Sequence, residues 1–332
     1  MFVLTHKIAG ITFRTESDVE IIPIQNDFFQ QFLTDDSKPD VYHRICGIDC
    51  DTLTLPPLSE REKERISRCV SLPHIGRGTL TLPPLISGGK KERISGCVSL
   101  PRDGLNVPLL QSPSVRARLE CCLSHPEQVG LTLHIFSVVI HDYVHRTVDI
   151  FYPSERHEIF KGHWVENGFQ RMFTSFLPTF SAVMVHSSGF IRDGAAALFL
   201  APDEGGKTTV VKHATAGTIL CDDRNILRKE GDVVMAHSTP WGMLTNGPQR
   251  ARVGGFFLLE KASDFELIPI KPRDVLQFLW NEHMHFWRVL PKKLRIQAFE
   301  ILHDVCYQAP VYLMRFPEDY VDWDAIDAVM VR

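Results

Sequence analysis

The chain has 332 residues, a formal net charge of −4 and a sequence pI near 6.4. That length exceeds what one ordinary core fills, so two domains are expected. Near-balanced charge excludes the strongly basic footprint of a nucleic-acid binder, and no apolar run is long enough for a membrane span. The first residues lack the compact apolar segment and cleavage site of a secretion signal, which gives a cytoplasmic expectation.

Short apolar alternations over residues 3–24 (Ile8, Ile11, Phe13; Val19, Ile21, Ile22) predict strands of a small sheet. Residues 35–40 read as a loop. A duplication follows: Thr52-Leu-Thr-Leu-Pro-Pro-Leu58 recurs as Thr79-Leu-Thr-Leu-Pro-Pro-Leu85, and Lys63-Glu-Arg-Ile-Ser67 recurs as Lys91-Glu-Arg-Ile-Ser95. Two copies are too few for a solenoid, so residues 51–101 read as a Pro-rich insertion in the first domain. Cys46, Cys50, Cys69 and Cys97 lack paired C-x-x-C knuckles and read as ordinary reduced thiols rather than a zinc site.

Residues 114–127 have the spacing of a short amphipathic helix, and residues 131–152 that of two β-branched strands closing the first domain. Boundaries of 1–160 and 165–332 follow for the two domains. In the second, residues 181–188 read as a strand, Asp193-Gly194 as a hairpin turn, and residues 195–200 as a strand buried on both faces.

That strand runs into Ala201-Pro-Asp203-Glu204-Gly205-Gly206-Lys207-Thr208-Thr209, followed at once by helical sequence. Strand, Gly-rich turn, Gly-Lys-Thr and helix are the context of a phosphate loop. Free amides at a helix start attract anions, Lys207 would reach the phosphates, and the Thr208 hydroxyl would hold magnesium. Ala201 stands where the pattern usually opens with Gly. Residues 218–221 form a further short strand ended by Asp222-Asp223, an acid pair suited to metal binding and proton abstraction.

The order of His186, a phosphate loop about twenty residues later and Asp222-Asp223 after the helix resembles the catalytic domain of HPr kinase/phosphorylase, which is related to phosphoenolpyruvate carboxykinase. The resemblance implies an α/β (α+β overall) fold with a mixed-sheet phosphate-loop core behind a smaller strand-rich domain. It also implies an ATP- and Mg2+-dependent kinase acting on a hydroxyl of a small molecule, peptide or protein, and a homo-oligomeric assembly. His186 would assist near the transferred group, residues 203–209 would bind nucleotide, Asp222 would support the metal, and Asp223 would be the base. Thr239 and Trp241, in a similar Thr-Pro-aromatic segment, and Arg252 are candidate substrate contacts. Two rival readings stand beside this: a nucleotide-binding regulator without catalysis, in which Glu204 obstructs the terminal phosphate, and a phosphotransferase using pyrophosphate or phosphate.

The rest reads as support. Residues 275–290 suggest a helix ended by Pro291, with Glu282, His283 and His285 on a packed face rather than around a metal. Residues 296–302 suggest a second helix, and 311–314 a closing strand.

Overall fold

The computed structural model describes residues 2–17, 30–36, 38–48, 112–122, 129–134, 137–153, 170, 172–214, 216–283 and 290–331. Val19, Ile21, Ile22, Cys50, the duplicated 51–101 segment and His285 lie outside them.

The described residues form two mixed sheets. In the first are β1 (Phe2–Ile8), β2 (Ile11–Ser17), β3 (Val41–Ile48), β4 (Val129–His134), β5 (Ser137–Asp142) and β6 (Thr147–Pro153), ordered β1-β2-β3-β6-β5-β4. Residues 129–153 thus supply three strands rather than two. The tight turn between β5 and β6 is fixed by the Asp142 carboxylate, which accepts from the Val144 and His145 amides at 3.1 and 3.0 Å. β3 was not expected, although Val41, His43 and Ile45 alternate inward as a half-buried strand requires. Helix α1 (Pro113–Cys122) covers the expected helix as far as Cys122, and residues 123–127 of that expectation lie outside the described residues. Its Arg118 bonds Asp142, Asp149 and Thr147, at 2.7 Å in the last case.

A short helical stretch, 172–176, and a 3-10 turn, Leu177–Phe180, lead into the second sheet. Phe173 packs against Phe13 of the first sheet at 4.3 Å between ring centroids and against Trp241 of the second at 5.2 Å. Residues of both sheets therefore share one apolar core.

The second sheet contains β7 (Ala182–His186), β8 (Ser188–Arg192), β9 (Ala195–Leu200), β10 (Thr218–Cys221), β11 (Arg224–Glu230), β12 (Val233–His237), β13 (Arg250–Lys261), β14 (Glu266–Pro269) and β15 (Val311–Phe316). Helix α2 (Lys207–Lys212) follows β9. Helices α3 (Pro272–Phe278), α4 (Lys292–Gln308) and α5 (Trp323–Val329) follow among the described residues. Along β9, Ala196, Leu198 and Leu200 belong to the core shared with α4, while Ala197 and Phe199 belong to the core of α2 and α5. Burial on both sides is why the run carries no polar residue. β15 is interior rather than closing: it pairs in parallel with β13 and antiparallel with β14.

The sheet path runs β10-β8-β9-β13-β12-β11-β7. β7 and β8 are separated by Ser187 alone, yet β7 pairs with β11 and β8 with β9 and β10. Likewise β10 and β11 are joined by Asp222-Asp223 alone and pair with different neighbours. Two strand pairs thus change partners at one place. The Ser187 amide donates to the Asp223 carbonyl there at 3.1 Å.

Candidate functional site

The partner change is held by Asn225. Its side-chain amide donates to the Ser187 carbonyl at 2.7 Å, the Ser187 hydroxyl at 3.0 Å and the Cys221 carbonyl at 3.2 Å. β11 runs antiparallel to β7 with Arg224 opposite His186. This register brings the His186 ring to Asp223, Nε2 to Oδ1 at 2.6 Å, although 37 positions separate them in the chain.

Burial of Asp223 raises its pKa, but the hydrogen bond from His186 and the charges of Arg224, His186 and Lys207 outweigh it. The net effect is a carboxylate held below its ordinary range, ionised throughout the neutral region. Its Oδ1 accepts from both His186 and the Arg224 guanidinium, the latter at 2.9 Å.

Asp222 is almost fully buried and serves a different purpose. Its Oδ1 accepts from the Met243 and Leu244 amides at 2.9 and 3.0 Å, and its own amide donates to the Leu244 carbonyl. The other oxygen, Oδ2, lies 3.4 Å from the Thr208 hydroxyl. A Cβ on Gly242 would stand 2.5 Å from Asp222 Oδ1, so only glycine lets this loop close on the carboxylate.

The phosphate-loop segment forms a turn in which the Gly205 amide donates to the Pro202 carbonyl at 3.1 Å. Gly206 adopts φ +94°, and its backbone lies so near Phe316 of β15 that a Cβ would meet the ring at 2.8 Å. Glu204 adopts φ +63° with an exposed side chain, a left-handed geometry that favours glycine. The first helical bond in α2 runs from Val210 to Gly206, and no side chain caps the helix start. The amides of Lys207, Thr208 and Thr209 therefore precede the regular helical bonding.

Lys207 lies inward at 7% exposure and donates to the Ala201 and Pro202 carbonyls at 2.8 and 3.0 Å. Burial lowers its pKa, opposed by Asp203 and Asp223 and reinforced by Arg224. Two neutral carbonyls are modest partners for an ammonium, and an anionic ligand would be a stronger one.

Structure therefore brings together His186, Lys207, Thr208, Asp222 and Asp223, with Asp203 Oδ1 at 3.7 Å from the His186 ring. Thr239 and Trp241 are adjacent but buried. The Thr239 hydroxyl donates to the Arg224 carbonyl at 2.7 Å, and Trp241 packs on Phe173, so both brace the loop around Asp222. Arg252 is not brought there. It lies within β13, not before it, and pairs with Ala195 at the start of β9, the opposite end from the phosphate loop. Five to six residues at ~3.3 Å each separate it from that loop, roughly 17–20 Å.

Sequence reading missed Arg224, Asn225 and the Met243 and Leu244 amides. The first two follow the acid pair directly, and a polar Asn just before the apolar Ile226-Leu227 step was the available signal. The backbone amides had none.

Among solved structures, the chain is similar to the Hpr(Ser) kinase/phosphatase from Coxiella burnetii at 16% identity. The likeness covers 38% of this chain and 92% of that one, with a TM-score of 0.20, and at that score it carries no functional weight. No family model and no curated protein matches the chain.

Proposed function

We propose that this chain is an ATP- and magnesium-dependent phosphotransferase that phosphorylates a hydroxyl group of a small molecule or peptide. The observation that carries the reading is the convergence, at one change of strand partners, of a lysine at a Gly-rich helix start, an ionised carboxylate paired to histidine, and a second carboxylate beside the loop threonine.

The donor set fits magnesium. Asp222 Oδ2 and the Thr208 hydroxyl, 3.4 Å apart, are hard oxygens that would serve as ligands. A cation here would take its remaining ligands from water and phosphate oxygens, the habit of magnesium at phosphate sites. When bound, it neutralises phosphate charge.

Lys207 and the loop amides would hold the donor phosphates. The acceptor oxygen forms a bond to the terminal phosphorus while the bond to the leaving diphosphate breaks, and the hydroxyl proton passes to Asp223. His186 orients that carboxylate. Positioning and charge neutralisation supply the acceleration.

Calorimetric titration with ATP, ADP and pyrophosphate in the presence of magnesium tests this, on the wild type and Lys207→Ala. Micromolar ATP binding lost in the variant supports the reading. Binding of pyrophosphate alone points to a different phosphoryl donor, and binding of none of the three defeats a phosphate-loop role.

A further inference from the structure

Arg224 is a guanidinium beside the acid pair that the phosphate-loop pattern does not require. Its register opposite His186 fixes where its side chain starts, and the Thr239 hydroxyl pins its carbonyl. The side chain is 17% exposed. Nη1 reaches Asp223 Oδ1 at 2.9 Å and the Asp223 carbonyl at 3.4 Å. Nε is buried and has no hydrogen-bond partner among the described residues.

Neutralising Asp223 does not by itself explain this arrangement, because the same oxygen already accepts from His186 at 2.6 Å. A guanidinium has five N–H donors, and the contacts to Asp223 run through one nitrogen. Nη2 makes no hydrogen bond among the described residues, so the guanidinium keeps donor capacity that an anionic ligand can use. The charge of Arg224 also reaches Lys207, whose pKa it lowers. An anion between the two cations would relieve that repulsion.

Resting on the phosphotransferase reading, we infer that Arg224 is a further catalytic residue of this site, binding the terminal phosphate of a nucleoside triphosphate. The position follows from the chemistry. Asp223 takes the proton of a hydroxyl that attacks the terminal phosphorus, so a cation bonded to Asp223 stands beside that phosphorus. Lys207, at the loop, stands nearer the phosphates that remain with the leaving group. Arg224 therefore discriminates a triphosphate from a diphosphate, and its contribution grows as charge shifts onto the transferring group.

The test compares wild type, Arg224→Met and Arg224→Lys, using calorimetric titration with magnesium-ATP and magnesium-ADP, and thermal melting as a check on folding. The expected result is at least a tenfold loss of ATP affinity in Arg224→Met with ADP affinity changed less than threefold. Arg224→Lys should recover part of the loss, because it keeps the charge but not the planar fork. An Arg224→Met protein that loses ATP and ADP affinity equally, or neither, overturns the assignment while leaving the phosphotransferase reading intact. Failure of the wild type to bind either nucleotide overturns both.

Discussion

His186 Nε2 and Asp223 Oδ1 stand 2.6 Å apart across the β7–β11 pairing, and this contact defines the chemistry available to the site. A carboxylate held ionised by an imidazole and a guanidinium can accept a proton at neutral pH without first losing one.

Asp223→Asn should therefore reduce phosphoryl transfer by about 10²-fold or more while nucleotide still binds. In the wild type, the acidic limb of the rate profile set by Asp223 falls below its ordinary value of 3.8, because the net shift is downward. His186→Ala removes the donor and part of the positive charge, so that limb should move to higher pH. A limb that stays in place would separate the two residues functionally.

Lys207 has a lowered pKa in the free protein because burial disfavours its charge. A bound polyphosphate favours the ammonium, so its pKa must rise and the protein must take up protons on binding. The uptake should be visible on the alkaline side of neutrality, below the ordinary lysine value of 10.5, as a dependence of the calorimetric heat on buffer ionisation enthalpy. Equal heats in buffers of different ionisation enthalpy would count against a lysine that gains its proton on binding.

Gly242→Ala should disturb the acid at the loop threonine. The added Cβ would lie 2.5 Å from Asp222 Oδ1 and 2.6 Å from Cys221 Sγ, forcing the carboxylate or the loop to move. Overpacking of this kind costs about 1–3 kcal/mol. Chemical denaturation would show that loss, and the magnesium concentration for half-maximal nucleotide binding should rise severalfold. An unchanged magnesium requirement would separate Asp222 from the metal.

The first sheet carries its own pH dependence. Burial raises the Asp142 pKa, but the His145 amide and ring and the Arg118 guanidinium outweigh it and bring it down to about 2. The native value lies below the unfolded one, so the stabilisation is complete above about pH 4 and disappears as pH falls through about 2. Allowing for screening at the exposed His145, it is worth about 1–2 kcal/mol. Asp142→Asn should lower stability at pH 7 by that order and flatten the decline in acid, measured by urea unfolding between pH 2 and 7.

Local sequence carried the hairpin at Asp193-Gly194, the doubly buried run of β9 and the Gly-rich turn into α2. In each case the residues concerned adopt those shapes for reasons internal to a few positions. Gly194 adopts φ +81° in its turn, and the small and apolar residues 195–200 are the ones that suit burial on both faces. Glu204 shows where such reading stops: nothing local announces a left-handed glutamate, because the surrounding turn imposes it.

By itself, then, the sequence determined which groups were available: an imidazole at a strand end, a lysine at a helix start and two acids after a short strand. Only the tertiary structure decided how they divide the work. Asp222 and Asp223 are neighbours of identical chemistry, yet one is enclosed by the Met243 and Leu244 amides and the other is turned to His186 and Arg224. Successive residues of an extended chain point to opposite sides, and what waits on each side is set by the curl of the sheet and the register of distant strands. Those depend on burying the whole apolar surface at once, which no short stretch of residues encodes.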